Sequence, residues 1–186
     1  MSRLRPEARV AFAALAAERL LPYYRQFHAE TRWGSAGPLE RAIDLAWEHV
    51  TIHRVSHEVL HEACGACELV VPDTDDFSTP LASRALDAAS AALSALRACE
   101  NPAPEIAAAA AESAWEAAFG AAQLRHAVNP DGVLIATPKQ LTIAAASDLV
   151  RREEAAQSGA LRRLASIALT DETVRELRRE FASASP

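Results

Sequence analysis

The residues most able to do chemistry lie in one stretch. His49, His53, His57 and His61 recur every four positions and are followed by Cys64 and Cys67. Within it, His57-Glu58-Val59-Leu60-His61 matches the HExxH pattern of zinc hydrolases. That chemistry needs this spacing because histidines four apart on a helix point the same way and can share one ion. The glutamate between them can take a proton from metal-bound water. Cys67 falls where one large class of these enzymes places its third ligand, giving a candidate zinc set of His57, His61 and Cys67 with Glu58 as base. The chain departs from that class at two positions: the third ligand should be histidine, and position 64 should be glycine but is Cys64.

Two other readings compete with zinc. Cys64-Gly65-Ala66-Cys67 has the spacing of a thiol redox pair. The plainer reading is structural, a histidine row at a helix–helix seam with two helical cysteines. At about 100° per residue the row drifts by roughly 40° a step. Leu39, Ala42, Ala46, Val50 and Leu60 fall within or near the same arc, while Arg54, Glu58 and Glu62 lie opposite or beside it. The four histidines are therefore expected on the apolar face, provided one helix runs unbroken past Val55 and Ser56.

The elements that must position these residues are helices. Of 186 residues half are hydrophobic, but 43 of those are alanine, aromatics make up only 5%, and glycine numbers 6. Alanine, leucine, arginine and glutamate lose least on entering a helix. The composition excludes a β-sandwich, a collagen-like chain and a disordered polymer. No apolar stretch reaches the roughly 18 residues that cross a bilayer, and Met1 to Arg9 lacks a signal-peptide core, so a cytoplasmic protein is expected. A net charge of −6 argues against nucleic-acid binding through a basic face. Three cysteines, an odd number, do not make a disulfide framework.

Prolines mark the helix starts. Pro6 opens the first, and Pro22 is expected to break or kink it. Trp33 to Gly37 is a turn, and Pro38 begins a long helical region to about Val70. An aspartate-rich loop follows, then Thr79-Pro80 caps a helix with Leu86, Ala89, Leu93 and Leu96 on one face. Asn101 to Pro104 separates it from an alanine-rich helix ending near His126, whose register is poorly specified by such small side chains. Asn129-Pro130-Asp131-Gly132 is a turn, and Val133 to Ala136 is strand-like but too short for a sheet. Thr137-Pro138 caps a helix to about Ser158, where Gly159 ends or bends it, and an amphipathic piece follows Thr170. The pairs Arg151-Arg152 and Arg162-Arg163 would share a face only if the helix continued through Gly159, and a solvated surface is expected there. The sum is an all-α bundle of six or seven helices forming one domain over residues 1–186, with 1–6 and 183–186 frayed.

Several strings place the chain among known proteins. Glu18-Arg19-Leu20-Leu21-Pro22-Tyr23-Tyr24 with Phe27, Ile43-Asp44-Leu45-Ala46-Trp47-Glu48, Asp75-Asp76-Phe77 and Ala85-Leu86-Asp87-Ala88 occur in order over about residues 7 to 98. In these the chain resembles the YjaG-like bacterial proteins, domain-of-unknown-function family 416, while its C-terminal half matches mainly in helix placement. The resemblance implies an all-α fold, no established activity, and a helix break near Ser56 with that serine as N-cap. Trp47 reads as a large anchor whose indole N–H needs an acceptor, and Glu18, Arg19, Asp44 and Glu48 as helix-face polar residues or interhelical ion pairs. An all-α CxxC also resembles the alkylhydroperoxidase-D-like proteins, but Val71 stands where those place a histidine. The function expected is a non-enzymatic interaction or structural module, without catalytic residues, metal or cofactor, that forms a homodimer or binds another protein, away from membranes and nucleic acid. Zinc at the HEVLH segment and thiol redox chemistry remain the alternatives.

Overall fold

A computed structural model describes residues 1, 3–51, 55–126 and 137–182. Eight α-helices are present among them: α1 (Pro6–Thr31), α2 (Gly37–Thr51), α3 (His57–Glu68), α4 (Leu81–Glu100), α5 (Pro104–His126), α6 (Pro138–Ala145), α7 (Asp148–Ser166) and α8 (Asp171–Ala182). A single 3₁₀ turn, Thr74–Asp76, sits between α3 and α4. The all-α expectation holds, with eight helices rather than six or seven. His53, the Asn129 to Gly132 turn, the Val133 to Ala136 run and residues 183–186 lie outside the described residues.

The count differs for physical reasons. Pro22 does not break α1, which runs on through it for 26 residues. A mid-helix proline costs about 3 kcal/mol through its lost hydrogen bond and ring clash. Here α1 offsets it by being the central helix, packed against α2, α4, α5, α7 and α8. It buries residues all round, including Val10, Phe12, Leu15, Leu20, Tyr24 and Phe27. Conversely, the region expected to run from Pro38 to Val70 divides into α2 and α3. Ser56 is the N-cap of α3, its hydroxyl accepting from the Val59 amide at 3.4 Å. The region after Thr137 also divides, because Ser147 caps a new helix through the Val150 amide. Gly159 does not end it, since α7 continues to Ser166.

Thr137 forms a capping box with Gln140, as its place just before Pro138 suggested for a cap. At α4 the N-cap is Pro80 rather than the expected Thr79, because the helix starts one residue later, at Leu81, whose amide donates to the Thr79 hydroxyl at 3.3 Å. In the alanine-rich α5, Ala107, Ala110, Ala114, Ala117 and Ala121 alternate by three and four and are all buried, a stripe of small side chains that lets neighbouring backbones approach closely. A continuous apolar core runs from Leu4 to Phe181. None of the described helices is long and apolar enough to cross a membrane.

One turn glycine is required. Gly34 has φ +67°, and a Cβ there would lie 2.5 Å from the Tyr24 hydroxyl. That tyrosine is fully buried and donates to the Val70 carbonyl at 2.7 Å, so it cannot swing away. Gly34→Ala is expected to lower stability by about 2 kcal/mol, read from urea denaturation, with an unchanged midpoint as the contrary result.

Candidate functional site

The histidine row does not survive as one face. The chain restarts at Ser56, so the phase of α2 does not carry into α3. His49 is half-buried near the end of α2, whereas His57 and His61 are exposed on α3. The buried side of α3 is instead Leu60, Ala63 and Cys67. The expectation that the histidines lie on the apolar face is therefore corrected for His57 and His61. Their rings stand 6.1 Å apart, as an i, i+4 pair should. His57 Nδ1 is paired with the Glu100 carboxylate, tying α3 to α4.

The proposed third ligand points elsewhere. Cys67 is buried, and its thiol donates to the Pro38 carbonyl at 3.3 Å at the start of α2. The structure thus brings His57 and His61 together, leaves Glu58 exposed between them, and turns Cys67 into the core. Among the described residues no three His, Cys, Asp or Glu side chains are gathered so as to hold a metal ion.

The thiols are placed against redox chemistry too. A reactive cysteine needs a lowered pKa, supplied by a helix N-terminus or nearby cations. Cys64 and Cys67 sit in the C-terminal half of α3, toward the negative end of its dipole. Burial pushes the Cys67 thiol up to about 12, with Cys64 and Glu68 adding to it. Burial also raises Cys64, helped by Glu100 and opposed by Arg97. All three cysteines are free thiols.

A second constellation was visible in the sequence only as separate strings. Glu18 on α1 and Asp44 on α2 converge on Arg178 of α8. Arg178 donates through Nε to Glu18 at 2.8 Å and through Nη2 to Asp44 at 3.1 Å. Beside them, Arg25 donates to Glu40 at 2.8 Å. Together with Leu21, Pro22 and Ile43 these residues line a cleft of about 360 Å³. Trp47 is buried behind it at 3% exposure. Its indole N–H faces the Glu18 carboxylate without completing a hydrogen bond of ordinary geometry. Burial raises the Glu18 carboxyl above its ordinary value, while Arg178 and then Trp47 pull it back down and Asp44 pushes up.

The motif polar residues are thus interhelical ion pairs, as one of their two readings held, except Glu48, which lies 3.8 Å from Arg41 within α2. Arg19 makes a deeply buried pair with Glu153 of α7 at 2.6 Å, both side chains almost fully buried. Sequence reasoning missed Arg178, Arg25, Glu40 and Glu153 as partners, and no local signal marks them. The arginine pairs on α7 do form a solvated surface, with Arg151 paired to Asp148 and Arg163 near Glu176 and Glu180 of α8.

Asp87, in the fourth string, gives a pH prediction. Burial, with Glu116 on α5 adding repulsion, lifts its carboxyl to about 7 from an ordinary 3.8. The folded state then holds a proton that the unfolded chain has released. Its contribution is full below about pH 4 and is lost as pH rises through about 7. Asp87→Asn removes that loss. Its melting temperature is expected to pull ahead of wild type between pH 4 and 8 by roughly 3–6 °C, measured calorimetrically. A gap independent of pH would contradict this.

Comparison with known proteins follows the same lines. A crystal structure of a DUF416 family protein from Shewanella baltica OS155 superimposes with a TM-score of 0.81 at 20% sequence identity, covering 97% of this chain and 90% of that one. At that identity the match shows a shared fold. No curated protein matches the chain. The family model described as "Protein of unknown function (DUF416)" matches residues 1–185, and with the matching fold and the strings that converge on the α1–α2–α8 cleft, the chain belongs to that family.

Proposed function

We propose that the chain is a non-enzymatic interaction module that pairs with a second copy of itself. The observation that carries this reading is the outer side of α3. Leu69, at its C-cap, is 83% exposed and Val59 is 36% exposed. Val59, Glu62, Ala66 and Leu69 recur at i, i+3, i+7 and i+10, one helical row. Glu58 and Glu68 flank the row and, with Glu62 inside it, are exposed. The complementary charge is on the same chain: Arg151, Arg152 and Arg162 of α7 and Arg175 and Arg179 of α8 are exposed. An acidic, partly apolar face on α3 and exposed arginines on α7 and α8, interspersed with Asp148, Glu154, Glu172 and Glu180, suit a two-fold dimer, which uses each contact twice. The free thiols support a reducing, cytoplasmic setting.

Light scattering over a range of concentrations tests this. A dimer is expected that reverts to monomer in Leu69→Asp while circular dichroism stays unchanged. A wild-type monomer at every concentration would remove the second copy and leave a different protein as the partner. Enzymatic turnover lost on changing His57, Glu58, His61 or Cys67 would overturn the non-enzymatic reading.

The zinc alternative has His57 and His61 side by side and, among the described residues, no third ligand gathered with them. Two imidazoles bind zinc weakly compared with a closed site. Protein purified without chelator or affinity tag is expected to carry well under one zinc per chain by elemental analysis, and chelation to leave its melting temperature unchanged. A stoichiometric zinc signal lost in both His57→Ala and His61→Ala would bring the metal reading forward.

A further inference from the structure

The α1–α2–α8 cleft has a charge imbalance that its own residues do not resolve. Three carboxylates, Glu18, Asp44 and Glu40, face two guanidiniums, Arg178 and Arg25. Arg178 serves both Glu18 and Asp44, so one cation is shared between two anions. The second oxygen of Glu18, Oε2, is buried and takes no hydrogen bond. Trp47 faces that carboxylate from the buried side without closing a bond. Asp44 and Glu40 are 56% and 42% exposed, open to an incoming group. The floor is apolar, formed by Leu21, Pro22 and Ile43.

We propose that this cleft binds a third cation carried on an aliphatic stem, an alkyl-guanidinium or alkyl-ammonium group. The stem lies along Leu21, Pro22 and Ile43, in the way long basic side chains cover apolar surface while keeping the charge in a polar setting. The charged head sits between Asp44 and Glu40 and turns a two-against-three arrangement into three pairs. A volume of about 360 Å³ holds a four-carbon stem with its head group. An anion is disfavoured, because both guanidiniums already spend donors on carboxylates and the local charge is net negative. The inference does not rest on pairing through α3; the two readings share only α8, whose Arg178 lines the cleft, so the probe is also titrated into Leu69→Asp, where binding is expected to be unchanged.

The test uses n-butylguanidinium as the probe and pentanoate as the anionic control. Binding is followed by calorimetry and by the Trp47 indole N–H resonance, which sits behind Glu18. Saturable binding is expected, with a Kd on the order of 1 mM for so small a ligand. Asp44→Asn combined with Glu40→Gln, both on exposed side chains, should weaken it roughly tenfold. Arg25→Gln should do the opposite and tighten it, since it deepens the imbalance; that sign separates charge recognition from general damage to the fold. No saturation, equal binding of pentanoate, or weaker binding in Arg25→Gln would overturn the proposal. A short peptide with an internal arginine distinguishes the sources of the cation. Binding well above that of the free probe identifies a partner's side chain, and equal binding a free small cation.

Discussion

Arg19→Ala is expected to remove about 3–5 kcal/mol of stability, a large share of what a domain of this size has. Arg19 donates through Nε and Nη2 to both oxygens of Glu153, at 3.1 and 2.6 Å, and through Nη1 to the Leu15 carbonyl at 3.2 Å. Exposures of 2% and 4% leave no water to take over. Truncating the arginine strands a buried carboxylate, to which, among the described residues, Gln157 still donates at 2.9 Å. The pair itself need not be strongly stabilising, because the desolvation of two charges opposes their attraction. The two effects separate in a double-mutant cycle followed by urea denaturation. Glu153→Ala should cost about as much as Arg19→Ala, while Arg19→Met with Glu153→Leu should cost far less than the sum. Additive losses would mean that the two residues act independently, contrary to their geometry.

Phe27→Ala is expected to cost about 3–5 kcal/mol, and its effect should be felt at a distance along the chain. Phe27 is fully buried near the end of α1. Its ring meets Phe77 at 4.9 Å, Trp33 at 5.9 Å and Tyr24 at 6.0 Å, all edge to face. Phe77 closes the loop after the 3₁₀ turn, and Trp33 lies in the turn between α1 and α2. In a bundle whose other core side chains are mostly alanine, this aromatic cluster is what holds two connections against α1. Removing the central ring leaves a cavity that alanine neighbours cannot fill. Hydrogen exchange in residues 71–80 should speed up along with the global loss. A drop in stability with unaltered protection there would show that Phe27 acts only through α1.

Much of the fold was legible from residues close in sequence, because helix starts and stops are local events. Pro6 was readable as a first-turn proline and Thr137 as a cap, since a cap hydroxyl bonds an amide only two or three positions on, while Ser56 as a cap came with the family resemblance. Composition alone excluded sheets. Trp47 was readable as a buried anchor needing an acceptor, and Glu18 and Asp44 as ion-pair residues. What the sequence could not carry was anything whose energy is settled between distant segments. Pro22 reads as a break because its local cost is real, and only the burial of α1 on all sides offsets it. The histidine row reads as one stripe because periodicity extrapolates, whereas the restart at Ser56 gives α3 a phase of its own. Cys67 matched a ligand spacing, yet the Pro38 carbonyl 29 positions away decides where its thiol points. Arg178 lies 160 positions from Glu18 and 134 from Asp44, and Arg19 lies 134 from Glu153. No local pattern pairs them; the packing of α7 and α8 onto α1 and α2 does, because a buried charge must find its partner wherever the fold delivers one.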